Sequence, residues 1–127
     1  MTRLTHVCLV SGDVRRLRDF YRVALRLEPV YESAEYVEFA AGAATLAIFG
    51  QDAQERLSPG STIPGANRSV VLEFEVADVD AEYERLEPLV AKWVKPPTTQ
   101  PWGNRSIHFR DPDGNLVDFY SRVAVPA

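Results

Sequence analysis

Apolar and polar residues change their spacing along the chain, and these changes predict strands and two helices. An apolar run at 4–10 predicts the first strand. Two apolar stripes at helical spacing follow, one in each half of the chain: Leu17, Phe20, Tyr21 and Ala24, then Val79, Tyr83, Leu86 and Val90. Pro88 is expected to distort or end the second helix, because it removes a backbone donor.

The two halves repeat the same order of elements at a constant offset of 65 positions. Asp13 and Asp78 occupy matching positions, where a carboxylate can accept hydrogen bonds from the free amides of a helix N-terminus. Shorter apolar runs between turn residues predict further strands at 36–40, 45–49, 106–110 and 116–121, with weaker candidates at 30–32 and 93–95. Each half is therefore predicted to be a strand, a helix and three strands.

The organisation that follows is a single α+β domain over residues 1–127, built from two βαβββ modules. Module 1 spans about 1–50 and module 2 about 68–122. The segment 51–67 is polar and rich in Ser, Pro and Gly, so we interpret it as the linker between them.

The net charge and the cysteine count limit the kinds of partner and the cellular location to be expected. The net charge of -4 disfavours nucleic acid and anionic membrane surfaces, which leaves small molecules or other proteins. The single cysteine, Cys8, cannot form an internal disulfide, and the apolar run at 4–10 is too short for a membrane span or a complete signal sequence. We therefore expect a mature cytoplasmic protein. No phosphate-binding glycine loop, nucleophile elbow or paired cysteine motif occurs in the sequence.

Three features together resemble the vicinal oxygen chelate superfamily of glyoxalases, bleomycin-resistance proteins and ring-cleaving dioxygenases. They are a first strand carrying His6, a helix containing Asp13 and Phe20-Tyr21, and the closing segment Asp-Pro-Asp-Gly-Asn-Leu-Val-Asp at 111–118. The resemblance implies that the two modules form cupped mixed sheets around a central cleft. The turn residues of 111–118 also have a purely structural explanation, since Pro, Gly and Asn suit a tight hairpin.

The resemblance also implies where a metal would bind. Family members with metal chemistry place ligands on the first and last strand of each module, and the matching positions here are His6, Ala47, Val71 and Asp118. Only two of these side chains can bind a metal, whereas such enzymes use at least three protein ligands. We therefore expect no cofactor, with a divalent metal held by His6, Asp118 and His108 as the alternative.

Strand alternation, together with the resemblance, predicts which side chains face the cleft. On the first strand His6 and Cys8 share a face, and on the matching strand Glu73 and Glu75 do so. The predicted ligand-binding residues are His6, Cys8, Glu73, Trp102, Ser106, His108, Asp118 and Tyr120. Catalytic residues are not identified.

Each of these residues also has a structural explanation. Either histidine can be a partly buried side chain hydrogen-bonded by its neighbours, and Glu73 and Glu75 can belong to a solvent-facing strand edge. Trp102 is either an aromatic rim or packed on the surface, and Cys8 suits a small buried apolar role better than that of a nucleophile.

Three functions remain open at this point. The leading hypothesis is a metal-free protein that binds a small organic ligand, with the convergent acids favouring a cation. The second is a metal-dependent lyase, isomerase or dioxygenase acting on a substrate with vicinal oxygens. The third is a structural or regulatory module. A homodimer is expected, since two-fold pairs are the commonest assembly.

Overall fold

The structure is a computed structural model that describes residues 1–123. The chain divides into two compact units, Met1–Ala66 and the part from Asn67 onward, called here the first and the second unit. No helix within residues 1–123 is both long and apolar enough to cross a membrane.

The first unit is a four-stranded mixed sheet with two helices. Its elements are β1 (His6–Ser11), α1 (Val14–Leu25), β2 (Tyr31–Glu32), β3 (Tyr36–Ala40), β4 (Thr45–Gly50) and α2 (Gln51–Leu57). The strands lie in the order β1-β4-β3-β2, with β1 parallel to β4 and the other pairs antiparallel. Asp13 begins α1 by accepting a hydrogen bond from the Arg16 amide at 3.0 Å.

Helix α1 covers one face of this sheet. Its predicted stripe, Leu17, Phe20, Tyr21 and Ala24, is buried. The strand residues buried with it are Val37, Phe39, Leu46 and Ile48. Because side chains alternate along a strand, Tyr36 and Glu38 of β3 point to the opposite face.

The second unit repeats the same arrangement. Its elements are β5 (Val71–Glu75), α3 (Val79–Leu86), β6 (Lys92–Thr99), β7 (Asn104–Arg110) and β8 (Leu116–Arg122). The strand order is β5-β8-β7-β6, with β5 parallel to β8. The side chains in the core are Leu72, Val79, Leu86, Val90, Ile107, Phe109, Val117 and Phe119. Asp78 begins α3 by accepting from the Ala81 amide at 3.1 Å.

The turn at 111–115 joins β7 to β8 and is held by one carboxylate. Oδ1 of Asp111 accepts from the amides of Asp113 and Asn115, each at 2.9 Å. Gly114 has a φ of 85°, which a residue with a side chain rarely adopts. The turn therefore sets the register with which β8 enters the sheet.

The predicted α+β class with two βαβββ modules is confirmed. Helix α3 ends at Leu86, before Pro88, as expected because proline has no backbone N–H group to donate. Two features differ from the expectation. The segment 51–67, predicted to be a linker, begins with helix α2. Strand β6 extends well beyond the predicted 93–95. Its full length was not predicted, because two irregularities in its pairing with β7 interrupt the alternation by which strands are recognised.

Candidate functional site

A row of four ionisable side chains crosses the sheet of the second unit. Glu73 of β5 pairs with Asp118 of β8, Asp118 with His108 of β7, and His108 with Lys95 of β6. Residues paired in this way lie side by side on one face, with strands less than about 5 Å apart. We call these four residues the carboxyl row; the opposite face holds the apolar core against α3.

Asp118 is the most constrained residue of the carboxyl row. It is only 8% exposed, and its Oδ1 is buried without a hydrogen-bond partner among the described residues. Burial raises the pKa of Asp118 to about 6, and the charge of Glu73 and a hydrogen bond with it act in the same direction. Lys95 opposes this shift. Asp118 therefore titrates close to neutral pH, beside a second carboxyl group.

His108 does not satisfy this carboxylate. Its Nε2 lies 3.6 Å from Oδ1 of Asp118, which is beyond a good hydrogen bond. Burial lowers the pKa of His108, and Lys95 lowers it further, while Glu73 acts in the opposite direction. Since burial disfavours the charged form of both His108 and Asp118, the two side chains are not a stable ion pair at neutral pH.

The carboxyl row has a defined chemical preference. A buried carboxylate oxygen without a donor is costly, and two adjacent acids repel each other when both are ionised. A ligand that brings N–H groups and positive charge to Asp118 and Glu73 would remove both costs. Asp118 also shares its face of β8 with Leu116 and Tyr120, which can contact an apolar part of the same ligand.

The first unit carries a separate polar cluster on the sheet face opposite α1. Nε2 of His6 lies 3.0 Å from Oε2 of Glu38, and the Tyr36 hydroxyl donates to the same oxygen at 2.7 Å. Oγ1 of Thr5 lies 2.8 Å from Nδ1 of His6. Cys8 is exposed, and desolvation raises the pKa of its thiol, which disfavours the reactive thiolate.

The structure distributes the predicted ligand-binding residues over both units. His6 and Cys8 lie on β1 of the first unit. One face of the sheet in the second unit brings five of the others together: Glu73, Ser106, His108, Asp118 and Tyr120. Trp102 lies in the turn between β6 and β7 and is 69% exposed. Glu75 shares the face of Glu73 but lies 3.6 Å from Arg122, a weak pairing because both side chains are exposed.

Tyr36, Glu38 and Lys95 are not among the site residues predicted from the sequence. Alternation along 36–40 already places Tyr36 and Glu38 on one face, away from the core, so that signal was available. The sequence around Lys95 did not indicate its face in this way. Simple alternation puts it on the core face with Trp93, and only the irregularity between these two residues turns it toward His108.

The residues at the family's metal positions do not fit a metal site. Ala47 is fully buried and pairs with Cys8, and Val71 begins β5; neither side chain has an atom that binds a metal. Within residues 1–123, no three or more His, Cys, Asp and Glu side chains are grouped so that they could hold a metal ion.

Comparisons with known proteins agree with this architecture. An uncharacterized protein from Bacillus subtilis, YraH, is 28% identical over 127 residues, which cover 95% of this chain and 99% of the relative. A solved protein of unknown function from Agrobacterium tumefaciens is 30% identical with a TM-score of 0.83, covering 97% of this chain and 96% of that one. A lactoylglutathione lyase from the same organism is 28% identical with a TM-score of 0.72, over 95% and 94% of the two chains.

A family model provides the assignment. The model of the Glyoxalase/Bleomycin resistance protein/Dioxygenase superfamily matches residues 3–119, which extend from before β1 into β8 and include the turn at 111–115. This agrees with the resemblance carried by His6, Asp13 and the segment 111–118. The chain therefore belongs to the glyoxalase, bleomycin-resistance and dioxygenase superfamily.

Proposed function

We propose that this chain is a metal-independent small-molecule-binding protein, and that the carboxyl row of its second unit holds an organic cation. The observation that carries the proposal is the Oδ1 atom of Asp118, which is buried and lacks a hydrogen-bond partner in the part of the chain that the structure describes. Neighbouring Glu73 raises the pKa of Asp118, so the two acids share one electrostatic environment.

The charges of the row indicate what kind of cation fits. Glu73 and Asp118 contribute up to two negative charges, and Lys95 contributes one positive charge. The row is therefore best neutralised by a single positive charge. An amidinium or guanidinium group suits it, because such groups donate two parallel hydrogen bonds to carboxylates. Leu116 and Tyr120 favour an apolar or aromatic substituent on that group.

An enzymatic role for the chain has less support. One relative is named a lactoylglutathione lyase, and the superfamily includes enzymes that act on vicinal oxygens through a divalent metal. That chemistry needs at least three protein ligands with an open position for substrate. Ala47 and Val71 remove two of the four ligands of the family pattern, so we prefer the binding function.

Calorimetric titration with benzamidine at pH 8 tests the proposal. We expect saturable binding to the wild-type protein, and a loss of at least tenfold in affinity in Asp118→Asn, since a charge-assisted hydrogen bond contributes about 1.5–3 kcal/mol. Glu73→Gln should weaken binding in the same direction. The matched control is Glu75→Gln, which removes a carboxylate from the same face of β5 but outside the row, and should bind nearly as the wild type does.

Two outcomes of this experiment contradict the proposal: no saturable binding of benzamidine, or equal affinity in Asp118→Asn and the wild type. Metal independence is tested separately by elemental analysis of tag-free protein after incubation with zinc, manganese, iron and nickel. About one tightly held equivalent of metal would overturn it and would restore His6, Asp118 and His108 as candidate ligands.

A further inference from the structure

A second cluster with different chemistry lies in the first unit, on the sheet face opposite α1. Tyr31 of β2 pairs with Glu38 of β3, and Tyr36 of β3 pairs with Phe49 of β4, so the four side chains are neighbours on one face. Val37 and Phe39 alternate with Tyr36 and Glu38 along β3 and point into the core. We call Tyr31, Tyr36, Glu38 and Phe49 the Glu38 cluster.

Glu38 has one oxygen engaged and one open. Its Oε2 accepts from the Tyr36 hydroxyl at 2.7 Å and, because a carboxylate can only accept, from Nε2 of His6 at 3.0 Å. No hydrogen bond from residues 1–123 to Oε1 is present, and the side chain is 25% exposed. The bonds from Tyr36 and then from His6 lower the pKa of Glu38, so it is a carboxylate at neutral pH.

Aromatic rings lie beside this carboxylate. The ring centroids of Tyr31 and Tyr36 are 5.9 Å apart, and those of Tyr36 and Phe49 are 5.8 Å apart. Tyr31 is 54% exposed, and Tyr36 and Phe49 are half-buried, so parts of these rings are accessible. Ring faces attract cations even when the cation has no N–H group to donate.

We propose that the Glu38 cluster binds a small alkylated ammonium group, independently of the carboxyl row. One carboxylate with open Oε1 supplies the opposite charge, and the rings of Tyr31, Tyr36 and Phe49 supply contacts for N-methyl groups. The carboxyl row differs in its preference, because two acids with an unpartnered buried oxygen favour a cation that donates hydrogen bonds. The two sites therefore distinguish cations by their N–H content.

Amide-resolved NMR titration with tetramethylammonium chloride tests this site, with sodium chloride at equal ionic strength as the control for screening. We expect saturable shifts at the amides around Tyr31 and Glu38 with tetramethylammonium only. Glu38→Gln and Tyr31→Leu should each weaken the binding at least about fivefold. Tyr31→Phe is the matched control, since it keeps the ring and should retain the affinity.

Several results would overturn the assignment: equal shifts with sodium chloride, unsaturable shifts, or unchanged affinity in both Glu38→Gln and Tyr31→Leu. The spectra of each variant report whether it is folded, and Tyr31→Leu tests the site without touching the hydrogen bonds of Glu38. Asp118→Asn should leave tetramethylammonium binding unchanged. Failure of this site is thereby distinguished from failure of the carboxyl row, which is tested with benzamidine.

Discussion

Burial makes the ionised form of Asp118 costly for the fold at neutral pH. Asp118 lies on β8, between β5 and β7, where a charged side chain is removed from water without a matching donor. The structure could hold an apolar or amide side chain there at lower cost, because burial is what raises the pKa of the carboxyl. Perturbed acids of this kind are concentrated at functional sites, and this is the physical reason to place ligand binding at Asp118.

Asp118→Asn should stabilise the protein at neutral pH. The pKa of Asp118 rises from 3.8 to about 6 on folding, so the folded state binds protons more tightly, and stability is lost as pH rises through this range. The variant does not lose stability in this way, because asparagine does not ionise. We expect it to exceed the wild type by about 3 kcal/mol at pH 7.5, since the shift is about two pKa units and each unit corresponds to about 1.4 kcal/mol.

Urea denaturation of both proteins at several pH values measures this difference. The difference in the free energy of unfolding should shrink as the pH falls toward 4, where the carboxyl group of folded wild-type protein is neutral, as the amide of the variant is. A variant no more stable than the wild type at pH 7.5, or a difference that is the same at both ends of the range, would contradict the electrostatic account of Asp118.

Along a strand, the alternation of residues predicts which face of the sheet a side chain takes, but not which residues of the adjacent strands lie beside it. His6, Cys8 and Glu73 could be assigned to faces from strand alternation together with the family resemblance. The adjacency of Glu73 and Asp118 depends on the register of the parallel pair β5 and β8, which the local sequence does not encode. Helix positions were more predictable, because Asp13 and Asp78 cap helices whose apolar stripes are periodic.

Removing the cap of α1 tests the local account of this element. In Asp13→Ala, the Arg16 amide loses its acceptor, and we expect a loss of about 1 kcal/mol in the free energy of unfolding. Asp19→Ala is the matched control, because it removes a carboxylate from the same helix, where Asp19 pairs with the adjacent Arg18 in an exposed position. It should change stability by less than about 0.5 kcal/mol. Equal effects in the two variants would show that the cap does not stabilise α1.

For the chain as a whole, the internal repeat and the segment 111–118 were enough to predict the superfamily that the family model assigns. The superfamily does not identify the ligand, because members of one fold carry different side chains on the same strands. In this chain, the carboxyl row of the second unit has a counterpart at the matching strand positions of the first unit. Glu73, Asp118, His108 and Lys95 correspond there to Cys8, Ala47, Glu38 and Tyr31, respectively, so the chemistry differs. The two units therefore present different side chains to a ligand.

The expected homodimer remains a prediction about the molecule in solution. Val70 and Val71 at the start of β5 and Val94 on β6 are exposed apolar residues near the edges of the second sheet, and such residues favour association. Light scattering coupled to size exclusion should give twice the mass of one chain. The mass of a single chain, unchanged over a tenfold rise in concentration, would contradict this prediction.

The most direct test of cation binding by the carboxyl row is an NMR titration of the Asp118 carboxyl carbon, with and without saturating benzamidine. The free protein should show a pKa near 6 for this group. Because a cation binds the ionised form more tightly, its presence should lower this pKa by at least about one unit, and binding should weaken as the pH falls below 6. A pKa of Asp118 that is unaffected by benzamidine would contradict the account.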